Sequence, residues 1–290
     1  MAQQINIKRL ISAGFRLGQI GFKDSNGFQG GISGATAQGS VSAMYTWAGV
    51  KTAQVQIPES NSVTVTGDDG VLGTFDFDSD SPRTFNMTLG ELDLNVASKG
   101  QNTNIYTVGN YYDMMLGDPI GAGLNDAVLL LTAEAKVQDS GKEGSGWYHL
   151  MFPNVTVKHL GNNLEYQSPT DQNFKVTINP FTRTPWGLDL SASNFGAEKG
   201  HYLFWGSQKR MTLNTYRYNG SDTTFLLSRV PYTDSNNIIR VAGWRSNPNG
   251  VHGIDINSEL SAVAATKTVT ISGVSNLNAG DYIETLLEYN

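Results

Sequence analysis

A run of closely spaced carboxylates in the first third of the sequence could bind a metal ion. Asp76, Asp78 and Asp80 resemble the start of a calcium-binding loop. The match fails at the sixth and twelfth positions, where Ser81 and Met87 stand in place of the required glycine and glutamate. The sequence therefore predicts no calcium site at these residues.

Asp76 and Asp78 also have the spacing of a catalytic carboxylate pair. Alternate residues of a strand share one face, which puts their Cα atoms about 7 Å apart. Paired carboxylates at such a separation serve in glycoside hydrolysis. The surrounding sequence predicts no pocket that would drive their pKa values apart, and acids that alternate along a hairpin are usually solvated. A hydrolase is therefore the weaker interpretation.

Other catalytic signatures are missing from the sequence. The four histidines are scattered, with none at ligand spacing from another: His149, His159, His201 and His252. Cysteine is absent, which excludes disulfides and Cys-ligated zinc. The sequence contains no nucleophile elbow, phosphate-binding loop or zinc-protease helix motif. We predict that the protein is not an enzyme and uses no cofactor or metal.

Negative charge is concentrated in one segment of the chain. The 290 residues carry a net charge of −6, with a pI of about 5.2. Residues 59–93 contain eight acidic residues and one arginine, a net charge of −7. Nucleic-acid binding needs dense Lys and Arg, so the composition argues against a DNA-gripping surface. The acidic segment is interpreted either as a solvated edge or as a surface that repels a polyanion.

The acids must be positioned by β-strands, because apolar and polar residues alternate around them. The alternation at 62–66 and 71–77, with Gly-Asp-Asp-Gly between, predicts a hairpin over 62–78. The alternation at 85–89 changes parity and continues at 92–96, which predicts a strand with a glycine bulge. The stretch 105–116 is ambiguous, and a short helix is one interpretation of it. Further strands are predicted at 52–57, 128–137, 155–157, 174–178, 211–216, 223–228, 268–272 and 282–289.

The predicted fold class is mainly β: a β-barrel or sandwich core with a short flanking helix and a further β-rich C-terminal part. Prolines and a polar segment predict a boundary near residue 190, which divides the chain into 1–190 and 191–290. A glycine-rich stretch at 27–39 predicts an arm or loop. The most apolar run, 127–132, is too short to span a bilayer, and no export signal is visible.

Two stretches, 54–94 and 127–187, resemble the major tail proteins of long-tailed bacteriophages. The motifs that carry the resemblance are Ile57-Pro58-Glu59, Thr66-Gly67-Asp68-Asp69-Gly70-Val71-Leu72, Leu92-Asp93-Leu94, Val128-Leu129-Leu130-Leu131, Gly146-Trp147-Tyr148-His149, Phe152-Pro153 and Pro185-Trp186-Gly187. These motifs contain no catalytic signature.

The resemblance implies a structural virion protein with a tail-tube fold. Such subunits form hexameric rings that stack into a hollow tube, and DNA passes through it without specific binding. It implies assembly in the host cytoplasm with tape-measure, tail terminator and baseplate or initiator proteins, and no membrane span. Five acidic residues then become candidates to face the lumen or the next ring: Asp68, Asp69, Asp76, Asp78 and Asp80.

An alternative remains within virion proteins. A carbohydrate-binding, receptor-binding or decoration protein would also be β-rich, and it would use exposed aromatic residues such as Trp205 or Trp244 against sugar rings. The sequence separates this alternative from a tube protein only through the resemblance.

Overall fold

The computed structural model describes residues 10–23, 38–47, 50–55, 61–67, 70–77, 83–90, 93–108, 112–115, 123–139, 142–162, 171–179, 203–207, 209–233, 239, 241–246, 254–256, 258–271 and 273–290. Within them the protein is mainly β, as predicted. Its elements are β1 (Leu10–Phe22), β2 (Val41–Ala43), β3 (Tyr45–Trp47), β4 (Val50–Val55), β5 (Asn61–Gly67), β6 (Gly70–Phe77), β7 (Arg83–Leu89), α1 (Leu94–Gln101), β8 (Ile105–Val108), β9 (Tyr112–Met115) and β10 (Asp126–Asp139). They continue with β11 (Lys142–Asn162), β12 (Gln172–Ile178), β13 (Leu203–Ser207), β14 (Arg210–Arg217), β15 (Thr224–Leu226), β16 (Val241–Ser246), β17 (Ile254–Asp255), β18 (Ser261–Val263), β19 (Thr268–Thr270) and β20 (Tyr282–Tyr289).

The largest sheet has eight strands and is curled, because a short connection joins the two ends of its strand order. Seven strands follow the order β3-β1-β10-β11-β12-β7-β4, and β13 also pairs with β11. All of these pairings are antiparallel. β3 ends at Trp47 and β4 begins at Val50, so a connection of at most about 11 Å joins the first strand of the order to the last. We call this the curled sheet.

Aromatic residues fill the core inside the curled sheet. Trp47 of β3 meets Phe174 of β12 edge-to-face, with ring centroids 4.7 Å apart. Phe85 of β7 and Phe152 of β11 pack with centroids 5.2 Å apart. Neither pair lies on neighbouring strands, so both contacts run across the inside of the curl. Aromatic burial of this kind supplies a large share of the stability of a core.

One helix covers this core, where a strand was predicted at 92–96. The chain forms α1 from Leu94–Gln101, so the prediction of a bulged strand is wrong. The Asp93 carboxylate accepts hydrogen bonds from the backbone N–H groups of Asn95 and Val96, at 2.9 and 3.2 Å. This N-cap stabilises the first turn of the helix. A short apolar pattern fits both elements, and the cap favours the helix.

The stretch 105–116, which the sequence left ambiguous, contains a hairpin. β8 and β9 pair antiparallel, with Ile105 opposite Met115 and Val108 opposite Tyr112. The helical interpretation of this stretch is therefore wrong. β-branched and aromatic residues at these positions favour extended backbone.

The hairpin predicted over 62–78 is confirmed. β5 and β6 pair antiparallel, with Val63 opposite Phe75 and a register shift after Val65. In the described part of the chain these two strands form a sheet of their own. The other predicted strands at 52–57, 85–89, 128–137, 155–157, 174–178, 211–216, 223–228, 268–272 and 282–289 correspond to β4, β7, β10, β11, β12, β14, β15, β19 and β20.

A second sheet stacks on the curled sheet, and a third sheet stacks on the second. The second sheet has the order β17-β16-β20-β14-β2, and the third has the order β15-β19-β18. Leu213 and Leu286 of the second sheet pack against Leu130 of β10. On its other face, Ile283 packs in a cluster with Val269 of the third sheet. β20 is buried along its whole length because it lies in the middle layer.

Strands from both sides of residue 190 share the sheets. β13 pairs with β11 in the curled sheet, and β2 pairs with β14 in the second sheet. The proposed boundary falls within 180–202, outside the described residues, as does most of the glycine-rich stretch 27–39. The division into 1–190 and 191–290 therefore stays a prediction.

Candidate functional site

One of the five acidic candidates lies in a described strand. Asp76 belongs to β6 and is the register partner of Ser62. The other four fall outside the described residues: Asp68, Asp69, Asp78 and Asp80. Their role at a lumen or between rings therefore stays a prediction. Among the residues that the structure describes, no three His, Asp or Glu side chains are grouped as metal ligands would be.

A cluster of a different kind stands where β14 begins and β20 ends. Three cationic side chains lie over three aromatic rings there. We call it the basic–aromatic patch, and its members are Lys209, Arg210, Arg229, Trp147, Tyr232 and Tyr289. Sequence reasoning missed this patch because its members come from separate stretches of the chain. Only the pairing of distant strands brings them together.

Arg210 lies at the centre of the basic–aromatic patch. Its Cζ atom is 5.7 Å from the centre of the Trp147 ring and 5.3 Å from the centre of the Tyr289 ring. The Cζ atom of Arg229 is 5.7 Å from the same tyrosine ring. These distances are within the roughly 6 Å over which a cation is attracted to a ring face. The guanidinium groups of Arg210 and Arg229 therefore both lie over the Tyr289 ring.

The third cation lies on an adjoining segment. The Lys209 Nζ atom is 4.8 Å from the centre of the Tyr232 ring. The backbone N–H of Tyr232 donates to the Glu288 carbonyl oxygen at 2.8 Å, and Pro231 forms a bridge with Tyr289. The segment that carries Tyr232 is thus fixed along the end of β20.

Strand register positions the centre of the patch. Arg210 and Tyr289 are direct partners in the β14–β20 ladder. Trp147 of β11 is the partner of Ser207, the last residue of β13. The chain passes from β13 in the curled sheet to β14 in the second sheet within three residues. This short connection brings Arg210 to the tryptophan of one sheet and the tyrosine of the other.

A buried histidine holds that connection in place. His149 Nε2 lies 2.7 Å from Ser207 Oγ, and His149 Nδ1 lies 3.0 Å from Thr132 Oγ1. The Ser207 hydroxyl donates to the backbone carbonyl of Lys209. A hydroxyl has a single proton, so Ser207 must accept from Nε2–H, and Thr132 donates to Nδ1. The network fixes the backbone immediately before Arg210.

The same histidine is neutral at physiological pH. Burial lowers the pKa of His149 from 6.5 to about 4, against a hydrogen bond to the Lys209 backbone that raises it. A serine 2.7 Å from an imidazole has the spacing of a nucleophile and its base. The imidazole is fully buried, however, and the Ser207 proton is already donated. We interpret the pair as a structural link.

The cations of the patch have no carboxylate partner among the described residues. Glu134, the register partner of Trp147, pairs instead with Arg16 at 3.3 Å. Burial raises the pKa of Tyr289, and Arg210 and Arg229 oppose that rise. Guanidinium groups stay protonated throughout the physiological pH range. The patch is therefore a permanently positive surface on a chain with a net negative charge.

A further buried cation links the two larger sheets. Lys23 donates from Nζ to Asn154 Oδ1 at 3.3 Å. Burial lowers the pKa of Lys23 well below its usual value, and the carboxylates of Asp126 and Glu284 oppose that shift. Glu284 belongs to β20 and Asp126 to β10, so this polar group spans the interface between the sheets. It is interior and separate from the basic–aromatic patch.

Of the two tryptophans considered for sugar binding, Trp244 has a described packed position. Trp244 of β16 packs against the cluster that includes Leu130 and Leu286. Trp205 lies in β13 as the register partner of His149. Trp244 is therefore already engaged at the interface between the curled sheet and the second sheet.

Comparison with known proteins gives no family assignment: no protein-family model matches the chain, and no curated protein matches it significantly. In the described part of the chain, the one helix is too short to cross a membrane.

Proposed function

We propose that this protein is the subunit of a phage tail tube, a structural virion protein that assembles with copies of itself. The observation that carries the proposal is the β5–β6 hairpin, which forms a separate two-stranded sheet within the most acidic segment of the chain. The resemblance of 54–94 and 127–187 to major tail proteins supports it. A curled sheet that is stacked with further antiparallel sheets is consistent with a structural subunit that forms the wall of a tube.

An isolated two-stranded hairpin is only marginally stable in water. Among the described elements, neither β5 nor β6 packs extensively against any strand other than its partner. A neighbouring subunit would supply the missing contacts. The hairpin is therefore the element that we assign to contacts between copies in the assembly.

The third sheet offers a second surface for assembly, and its three strands contain no charged residue. Leu226 of β15 and Val263 of β18 are both register partners of Thr268 and form a row across this sheet. Their exposed fractions are 59% and 51%. Thr268 lies between these two exposed apolar residues, and exposed apolar patches occur at interaction surfaces. This surface supports a role in packing between subunits.

The proposed assembly is a stack of hexameric rings around a channel for DNA. Its partners would be the tape-measure, tail terminator and baseplate or initiator proteins. The acidic segment would place negative charge near the channel, so that DNA slides without binding. Even a few Lys–phosphate contacts in each ring would add up over many rings and strongly slow the passage of DNA. The protein then needs no cofactor and performs no catalysis.

Electron microscopy of the purified protein in negative stain tests the proposal. We expect rings or tubes at high concentration, or on addition of a tail initiator complex. A strictly monomeric protein under both conditions would contradict the proposal. A glycan-array signal from such a monomer would instead support the carbohydrate-binding alternative.

The lumen role of the acidic segment needs a separate measurement. Replacing Asp76, Asp78 and Asp80 with Lys would change a channel surface that repels DNA into one that attracts it. We expect intact tubes with slowed or failed DNA delivery. Normal delivery through tubes of the variant would exclude the lumen role, and failed assembly would assign these residues to a subunit interface.

A further inference from the structure

The basic–aromatic patch has a positive charge that the described part of the chain leaves without a counter-ion. Lys209, Arg210 and Arg229 form no ion pair there. Elsewhere, cations such as Arg16 and Lys51 are paired with carboxylates of their own chain. Other described cations, such as Lys158 and Lys175, also lack an ion pair. Here, however, three such cations cluster over aromatic rings, which makes the patch a candidate surface for an anionic partner.

The geometry of the patch restricts the kind of partner that fits. The guanidinium groups of Arg210 and Arg229 already lie over the Tyr289 ring, and Arg210 also lies over Trp147. Single-stranded nucleic acids and sugars stack on open aromatic faces, whereas Arg210 lies over a face of both Trp147 and Tyr289. The rings instead hold the cations in place, so that less side-chain freedom is lost when a carboxylate binds.

The number of cations also argues for a carboxylate partner. A protein that binds DNA through about 6–10 phosphate contacts needs a similar number of Lys and Arg side chains. The patch offers three cations, on a chain with a net charge of −6. A short cluster of carboxylates matches that number better than an extended polyanion does. The exposed side chain among them is Arg229, and Lys209 and Arg210 are half-buried.

The chain itself contains a partner of the required charge. Residues 59–93 carry a net charge of −7 while the remainder is close to neutral. We propose that the basic–aromatic patch of one copy binds the acidic segment around the β5–β6 hairpin of a second copy. The inference rests on the proposed function and deepens it, because it assigns both sides of one contact in the assembly.

The contact would be heterologous, since the patch and the hairpin are different surfaces of the same chain. A heterologous contact continues from copy to copy and generates rings or filaments instead of closed pairs. The carboxylates between β5 and β6 in sequence, Asp68 and Asp69, are the first candidates for the contact. The effect of reversing the charges of Asp68 and Asp69 can therefore be compared with the effect of reversing those of Arg210 and Arg229.

Charge reversal and its repair test the contact. The variants are Arg210→Glu with Arg229→Glu, Asp68→Lys with Asp69→Lys, and all four changes in one chain. We expect each pair of changes alone to raise the concentration needed for assembly roughly tenfold or more, because attraction becomes repulsion. The combination should restore assembly, because opposite charges again face each other. Circular dichroism verifies that each variant folds.

A matched control separates the contact from the net charge. Lys158 and Lys175 are register partners on the curled sheet, and both are exposed. Their double replacement by Glu changes the net charge as much as the patch variant does. We expect it to assemble like the wild type, and an equal loss of assembly would overturn the proposal.

The other outcomes of these assembly measurements distinguish failure of the proposed contact from failure of the proposed tube function. Assembly of Arg210→Glu with Arg229→Glu at the wild-type concentration would overturn the contact and leave the tube function standing. Failure of the wild type to assemble, even with an initiator complex, would overturn both. A patch variant that assembles normally but loses binding to a DNA duplex in a gel-shift measurement would show a polyanion site and so overturn the proposed contact.

Discussion

The Nε2 atom of His149 lies 2.7 Å from the Ser207 hydroxyl oxygen and ties β11 to the end of β13 inside the protein. Because the imidazole is buried, the folded state holds it neutral, with its pKa lowered from 6.5 to about 4. The unfolded chain binds a proton more readily in this range. The contribution of His149 to stability is therefore fully present above pH 6.5 and is lost as the pH falls towards 4.

Replacing His149 with Gln removes this titration and keeps an amide able to hydrogen-bond. Between pH 7 and pH 4.5 we expect the wild type to lose about 2 kcal/mol more free energy of unfolding than the variant loses. Urea unfolding at both pH values measures the difference. Carboxylates titrate in both proteins and cancel in the comparison. Equal losses in the two proteins would contradict a buried neutral histidine.

Gly100 permits the close approach of α1 to the curled sheet. A Cβ atom on Gly100 would lie 2.9 Å from the backbone carbonyl oxygen of Val157. Helix propensity alone would make alanine more stable than glycine by about 1 kcal/mol. We expect the opposite sign, a destabilisation of about 1–3 kcal/mol, because backbone must shift to admit the methyl group.

Gly123→Ala is the matched control for this prediction. A Cβ atom there would have no neighbour within 4 Å, and the residue is exposed. Thermal unfolding of the two variants should therefore separate them, with a lower midpoint for Gly100→Ala alone. A gain in stability at Gly100 would show that the helix can move away from β11 at little expense.

The Asp93 cap gives a second test of α1. Asp93→Ala removes the acceptor for the N–H groups of Asn95 and Val96 and should lower the free energy of unfolding by about 1 kcal/mol. Asp93→Asn keeps an acceptor oxygen and should stay close to the wild type. Chemical unfolding of both variants measures the difference. Equal loss in the two would mean that the charge, and not the acceptor, stabilises the helix.

Hydrogen exchange should distinguish the β5–β6 hairpin from the central strands. The amides of β10 and β11 lie in the middle of a sheet, whereas the hairpin pairs only with itself among the described strands. We expect fast exchange over β5 and β6 in the monomer and strong protection in assembled tubes. Glycine-rich connections such as 27–39 should behave likewise, because glycine loses the most entropy on ordering. Equal protection in both states would remove the hairpin from the assembly contact.

Local patterns in the sequence located eleven of the twenty described strands and missed the other nine: β1, β2, β3, β8, β9, β13, β16, β17 and β18. The alternation at 62–66 and 71–77 predicts the β5–β6 hairpin, and the apolar runs at 128–137 and 282–289 predict β10 and β20. A period of two is a property of the strand itself and so is readable without knowing the partner. The pattern failed at 92–96, because a short apolar run fits a helix face equally well and the Asp93 cap decides.

The candidate site likewise combines one feature that the sequence shows with others that only the structure shows. The sequence by itself determined that negative charge is concentrated in 59–93, because charge is a sum over residues. The tertiary structure alone decided that Arg210, Trp147 and Tyr289 meet, since they lie on β14, β11 and β20. It also decided that His149 is buried behind them, a fact without any local signal. Side chains brought together by non-local strand pairing depend on register between distant segments, and that register is fixed only when the sheets stack.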